Sequence, residues 1–167
     1  PNNPTSILTP YEVLIGIIEE ALEEDVLIFL DEDFLEFVDE EKQVSLIDEI
    51  HDYPNLFILQ SFTKVYGLTG LRIGYGIASE EITTLLSNAK IPWNVNCLAQ
   101  VAAMAALTDK EHLKKSRELI KTERAYLTRE LKRINSFKLY PADANFIFID
   151  IRKSGFTAAQ LEEKMLE

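Results

Sequence analysis

Apolar residues recur along this chain in two patterns, one helical and one of short continuous runs. Val13, Leu14, Ile17, Ile18, Ala21 and Leu22 fall at helical spacing. They follow Thr9-Pro10-Tyr11-Glu12, which reads as a capping box with proline at the first helical position. Val26 to Leu30 is a short continuous run, predicting a strand buried on both faces, as in parallel sheets. Leu56 to Leu59 predicts a second such strand. Leu71 to Ala78 predicts a third, whose small residues allow close backbone approach. Between the first two runs a helix is expected around Val44 to His51, broken by Asp52-Tyr53-Pro54-Asn55.

Ser79 with Glu80 and Glu81 opens another helix, which Ile91-Pro92-Trp93 ends. Asn96 to Leu107 is alanine-rich and helical in pattern. Thr108-Asp-Lys-Glu111 reads as a capping box for a long amphipathic helix with Leu113, Ile120, Leu127, Leu131 and Ile134 on one stripe. Phe137 to Tyr140 and Phe146 to Ile151 read as strands of a separate small sheet, and Thr157-Ala-Ala-Gln160 caps a last helix. Strand–helix alternation over roughly the first ninety residues predicts an α/β parallel or mixed sheet, and the long helix carries the chain into a second, α+β layer. The expected division is residues 1–105 and residues 106–167.

Composition narrows the function classes. Seventeen basic against 28 acidic residues give a net charge of −11, the wrong sign for a nucleic-acid footprint. The acids gather at Glu19 to Asp25 and again from Asp31 to Glu41, a pattern expected of solvated faces. Cys97 is the only cysteine, so no internal disulfide forms, and a reducing, cytoplasmic setting is expected. No metal site is expected from one cysteine and two distant histidines, His51 and His112, each of which fits a structural role. No apolar run is long enough for a membrane span. The chain opens on Pro1-Asn2-Asn3-Pro4, without methionine, and closes inside the helical pattern Leu161 to Glu167. We therefore expect an internal piece of a longer protein, with little turnover on its own.

The richest chemistry lies in Ser61-Phe62-Thr63-Lys64, followed eight residues after the lysine by Arg72 within Gly67 to Tyr75. One amine, two hydroxyls and one guanidinium stand on glycine-softened backbone just after an apolar strand. An amine can condense with an aldehyde, and the hydroxyls and guanidinium can grip a phosphate. Asp31 ends the first apolar strand, and ligands of open α/β sheets sit beyond the carboxyl ends of strands.

Three segments together resemble the fold-type-I pyridoxal-phosphate (PLP) enzymes, the class I and II aminotransferases. They are Pro1-Asn2-Asn3-Pro4-Thr5, Asp31-Glu32-Asp33-Phe34, and the Ser61 to Arg72 stretch. The resemblance implies the large PLP-binding domain, a mostly parallel sheet with helices on both faces, running into an α+β small domain. It assigns Lys64 as the residue forming an imine with the cofactor and then shuttling the substrate proton. Asp31 becomes the partner of the ring nitrogen, Asn3 a donor to the phenolic oxygen, and Ser61, Thr63 and Arg72 the phosphate ligands. The family element usually has glycine where this chain has Ser6, which puts the local backbone geometry there in question.

Ile91 to Asn96 and Tyr140 to Phe146 further resemble the branch of histidinol-phosphate aminotransferases and threonine-phosphate decarboxylases. The resemblance implies a homodimer in amino-acid biosynthesis acting on a small amino-acid or phosphorylated-amine substrate, without nucleic-acid or membrane partners. Two reactions stay open. One is amino transfer between such a substrate and a 2-oxo acid; the other is decarboxylation of an amino acid such as threonine phosphate. Phe34 bears on the choice, because aminotransferases of this branch commonly carry a tyrosine there. Phenylalanine, like the Pro92-Trp93 pair, looks more like the decarboxylases; losing the hydroxyl donor is expected to raise the pKa of the cofactor imine. A non-catalytic regulatory domain of the same fold is a third reading. Asn145 could face the site, though a structural asparagine near Pro141 fits the pattern better, and Trp93 and Tyr75 fit core or interface roles.

Overall fold

The computed structural model describes residues 1–39, 42 and 44–166. Glu40, Glu41 and Glu167, assigned above to the acidic run and the last helix, lie outside these residues. A three-stranded sheet holds β1 (Ile28–Asp31), β2 (Leu56–Ser61) and β3 (Gly74–Ala78) in that order. β1 and β2 run parallel, Ile28 opposite Leu56 and Asp31 opposite Leu59, while β3 is antiparallel to β2, Phe57 opposite Ala78 and Ser61 opposite Gly74. β2 is central because its apolar run can be covered on both faces; Leu56 and Ile58 are fully buried. Helix α1 (Tyr11–Glu23) packs Ile18 onto them with Leu46 and Ile50, forming the principal buried cluster.

The double burial expected for Val26 to Leu30 is not what forms. β1 is an edge strand with alternating exposure, and Phe29 is 58% exposed while its ring stacks on Phe57 at 4.5 Å. A continuous apolar run does not distinguish a central strand from an edge strand with one covered face. In β3 the small residues do permit close approach. A Cβ on Gly76 would come within 2.1 Å of the Phe57 ring, so that ring occupies space only glycine leaves.

The segment expected as a helix at Val44 to His51 is a 3-10 turn over Ile47–His51, and a second such turn spans Leu35–Phe37. Helix α2 (Glu80–Ala89) is capped by Ser79, as its sequence predicts, and α3 (Cys97–Thr108) by Asn96. Two caps differ from expectation. Pro10 is the extended N-cap of α1 with no side-chain capping bond, and its carbonyl accepts from the Val13 and Leu14 N–H groups instead. Helix α4 (Lys110–Leu131) is capped by Asp109, whose carboxylate accepts from His112 N–H at 2.9 Å, because Thr108 is still the last residue of α3. A two-stranded antiparallel sheet follows, β4 (Lys138–Leu139) with β5 (Ile149–Asp150), and then α5 (Ala158–Leu166). Thr157 and Gln160 close a reciprocal capping box there, at 3.3 and 2.9 Å.

Candidate active site

Parallel pairing brings the carboxyl ends of β1 and β2 to the same edge of the sheet. Asp31 ends one strand and Ser61 the other, and β3 starts at Gly74 opposite Ser61. Gly74 is required there, since a Cβ would stand 2.8 Å from the Gln60 carbonyl oxygen. A cavity of about 270 Å³ opens at this edge, lined by Asp31, Asp33, Ser61, Thr63, Lys64 and Arg72 among others. Five of the six residues expected at the site therefore converge. The sixth, Asn3, is exposed and is not part of this lining.

Lys64 is held from two sides. Its Nζ pairs with Asp33 Oδ2 at 3.0 Å and donates to Thr63 Oγ1 at 3.2 Å, while lying 5.5 Å from the Phe34 ring centroid. Thr63 is buried, and its Oγ1 lies 2.7 Å from Ser61 Oγ, which in turn donates to Asp33 Oδ1. With Ser61 donating to Asp33, the Thr63 hydroxyl donates to Ser61. The bonds then form a closed ring running from Lys64 through Thr63 and Ser61 to Asp33, which accepts at both oxygens. Closed chains of this kind strengthen one another.

Asp33 is thus a site residue the sequence reading passed over. Its signal was available: it follows Asp31 by two positions in the turn at a strand's carboxyl end, and its N–H donates to Asp31 Oδ1 at 2.9 Å. Arg72 reaches the cavity from a left-handed backbone position, φ 52°, with Nη1 donating to the Thr69 carbonyl at 3.0 Å.

Behind the cavity sits a buried carboxylate. Glu32 is 6% exposed and accepts from Leu46 N–H at 2.9 Å, Ser45 Oγ at 2.7 Å and Gln60 Nε2 at 2.8 Å. Gln60 Oε1 accepts from the Tyr75 hydroxyl, a phenol that burial pushes above its ordinary range. Glu32 lies between Asp31 and Asp33, so this network anchors the turn that presents both. Tyr75 also packs on Phe62, at 5.4 Å between centroids. His112 bonds the Val65 carbonyl oxygen at 2.9 Å and stacks on Tyr66, a structural role. Trp93 is 98% exposed, so it is not a core aromatic in the described residues. Asn145 and His51 are exposed.

Ser6 answers the question about the missing glycine. It adopts the left-handed conformation glycine favours, φ 64°, and is fully buried. Its hydroxyl accepts from Ala144 N–H at 3.0 Å and its carbonyl from Asp143 N–H at 2.8 Å, tying the N-terminal loop to the segment before β5.

The donor set suits an anionic, aldehyde-bearing ligand. The Ser61 hydroxyl and the Lys64 amine already converge on an anion, the Asp33 carboxylate, with the Thr63 hydroxyl next to both, and a guanidinium lines the same hollow.

The family model for class I and II aminotransferases matches residues 1–167. The chain belongs to that family. It is similar to a histidinol-phosphate aminotransferase of Methanosphaera stadtmanae, 38% identical over 166 residues, 99% of this chain and 43% of the relative. Among solved structures it resembles the histidinol-phosphate aminotransferase from Clostridium acetobutylicum (TM-score 0.90, 33% identity, 99% of this chain and 49% of that one). The Sinorhizobium meliloti enzyme of the same name, solved with pyridoxal-5'-phosphate, is also similar (TM-score 0.81, 28% identity, 91% and 40%). So is L-threonine-O-3-phosphate decarboxylase from Porphyromonas gingivalis (TM-score 0.86, 26% identity, 99% and 49%). This family member therefore spans less than half the length of the relatives it matches. The mixed α/β architecture expected from the sequence is the one these structures share, and among the described residues no helix is long and apolar enough to cross a membrane.

Proposed function

We propose that this chain is the cofactor-bearing part of a PLP-dependent aminotransferase of the histidinol-phosphate type. The protein would move an amino group between a phosphorylated amine or amino acid and a 2-oxo acid. The observation that carries this reading is the convergence of Lys64, Ser61, Thr63, Arg72 and Asp31 on one cavity at the carboxyl ends of two parallel strands. When bound, PLP supplies an electron sink for negative charge developing at the substrate α-carbon.

Each residue has one task toward that chemistry. Lys64 would hold the cofactor through its amine and would carry the proton at the substrate α-carbon. Asp31 keeps a proton on the ring nitrogen, since a carboxylate beside a cationic nitrogen favours the charged form. Ser61 and Thr63 donate to the phosphate, and Arg72 pairs with it through a forked guanidinium. Asn3 is assigned to the phenolic oxygen by motif alone, and its exposed position makes it the assignment most open to test. The reading includes a cofactor part over residues 1–105 and a second domain beginning at 106. Its nearest structural counterpart is the break between α3 and α4 at Thr108–Asp109. A cytoplasmic homodimer in amino-acid biosynthesis completes it.

Phe34 supports a second reading, decarboxylation. Its ring meets Phe146 edge-on at 5.1 Å and lies beneath the Lys64 amine, so an apolar face stands where a tyrosine would offer a hydroxyl. Two experiments on the full-length protein separate these ideas. Borohydride reduction with PLP, followed by peptide mapping, would place the label on Lys64; an unlabelled Lys64 overturns the PLP reading. Lys64→Ala would lower turnover by about 10⁴-fold, the upper range for a lost proton-transfer group. Glutamate added to the loaded protein would release 2-oxoglutarate under the first reading. Under the second it would release none, and threonine phosphate would release carbon dioxide.

A further inference from the structure

The Asp33 carboxylate has no obvious place in a site built to hold a phosphate. It is 12% exposed at the side chain, accepts from the Ser61 hydroxyl, and pairs with Lys64 Nζ at 3.0 Å. Those two partners are the ones the cofactor must win. Ser61 has a single hydroxyl hydrogen, so it cannot donate to Asp33 and to a phosphate oxygen together. Lys64 attacks an aldehyde only as a neutral amine. The ammonium paired with Asp33 must therefore first release a proton to solvent. The neutral nitrogen then gives up two hydrogens, the aldehyde oxygen leaves as water, and a C=N bond replaces the C=O bond. A phosphate arriving at Ser61, Thr63 and Arg72 would also meet a negative carboxylate at its edge.

We propose that Asp33 is a built-in competitor of the cofactor, contesting Ser61 with the phosphate and Lys64 with the aldehyde, and so sets how tightly and how fast PLP loads. The proposal rests on the PLP reading of the cavity. The competitor is placed by the fold. Asp33 N–H is fixed on Asp31 Oδ1 at 2.9 Å, and the neighbouring Glu32 is locked into Leu46, Ser45 and Gln60. The backbone of the turn therefore holds Asp33 beside Ser61 and Lys64.

The test compares full-length wild type with Asp33→Asn, which keeps the shape and an acceptor for Ser61 but removes the charge. Equilibrium titration with PLP should give a dissociation constant about fivefold lower in the variant, the scale of a partly exposed ion pair. PLP association should also be faster. Inorganic phosphate, used as a separate probe, should bind the variant more tightly, and adding Ser61→Ala to Asp33→Asn should erase that gain. Asp33→Ala should follow Asp33→Asn if the charge is what competes. Equal or weaker PLP binding in both variants, with Lys64 still labelled by borohydride, overturns the competition and leaves the PLP reading standing. Absence of label on Lys64 in wild type and variants alike overturns the PLP reading and the competition with it.

Discussion

Residues 1–78 and the residues beyond Thr108 are held together by different means. The first region buries Ile18, Leu46, Ile50, Leu56 and Ile58 against one another, and the turns that carry the cavity hang directly from this cluster. In the second, α4 and α5 contribute no buried residue among those described. An apolar groove of about 660 Å³ stays open there between Leu127, Leu131, Phe137, Ile149 and Leu161. What joins the regions is largely polar. Arg117 pairs with Glu36. Arg124 donates to the carbonyls of Phe37, Asp143 and Ala144 and pairs with Asp39 at 2.8 Å. The difference teaches that the candidate site is positioned by buried groups, an apolar cluster and the Glu32 network beside it, whereas the second region is oriented on it largely by guanidinium groups reading main-chain oxygens.

The comparison breaks most readily at Glu32. If burial fixes the cavity turn, Glu32→Ala orphans the Leu46 N–H and the donors of Ser45 and Gln60. The expected loss is about 3 kcal/mol, measured by denaturant unfolding of the full-length protein. PLP affinity should fall with it, because Asp31 and Asp33 flank the lost anchor. Stability within about 1 kcal/mol of wild type would show that the turn does not depend on this network.

Arg124→Ala tests the other side. Its guanidinium is 12% exposed and satisfies three carbonyls and one carboxylate, so a loss of about 2 kcal/mol is expected. Amide exchange should quicken mainly around Tyr140 to Ala144, while the Ile58 and Leu59 amides in β2 keep their protection. Equal loosening of both regions would mean that they form one cooperative unit.

Ser6 sharpens the same contrast with a smaller effect. Ser6→Gly relieves a left-handed backbone, a gain of about 1 kcal/mol, but leaves the buried Ala144 N–H without its acceptor, a cost of about 1–3 kcal/mol. The expected net is a loss of about 1 kcal/mol. Ser6→Ala, which keeps the strain and loses the bond, should cost more than Ser6→Gly; the reverse order would show that the left-handed backbone at position 6 carries no strain, and wild-type stability in both variants would show that the hydroxyl does not matter.

Much of the site was legible because side-chain type and strand position suffice to place it. Asp31, Ser61, Thr63 and Lys64 follow apolar runs that parallel pairing makes end together, while Arg72 just precedes β3, whose antiparallel pairing starts it opposite Ser61. Asp33 was not legible in the same way. In sequence its one signal is its place two positions after Asp31 within an acidic stretch, and the turn bond to Asp31 and the ring through Ser61 are what set it apart from its acidic neighbours. The fold shows a similar division. Ser79 and Thr157 cap where expected, since each precedes a periodic run, and Asn96, expected inside a helix from 96 to 107, caps it instead. Thr108 and Asp109 compete for one helix start, and that contest is decided by how far α3 extends. The exposure of Phe29 depends on which layers cover that face of the sheet, a long-range property that Val26 to Leu30 does not encode locally.

The smallest expected effect is an acid titration at Asp143, where the N-terminal loop meets the second region. Burial alone would raise this carboxyl, but the Leu8 N–H at 3.1 Å, Lys42 at 3.0 Å and the nearby Arg124 outweigh it and hold the group below the usual carboxylate range. A carboxyl depressed in the folded state stabilises fully above its unfolded value, and that contribution disappears as pH falls through the folded one. Wild type should therefore be more stable than Asp143→Asn near neutrality, with the gap closing as the solution is taken below the ordinary carboxylate range. The effect is small because Lys42 is largely solvated, so its part of the interaction is screened. Thermal melts of both proteins across that range measure it. A gap that stays constant to low pH would mean that the charge on the carboxylate does not hold the junction, leaving that task to bonds that do not titrate, such as Asp143 N–H to the Ser6 carbonyl.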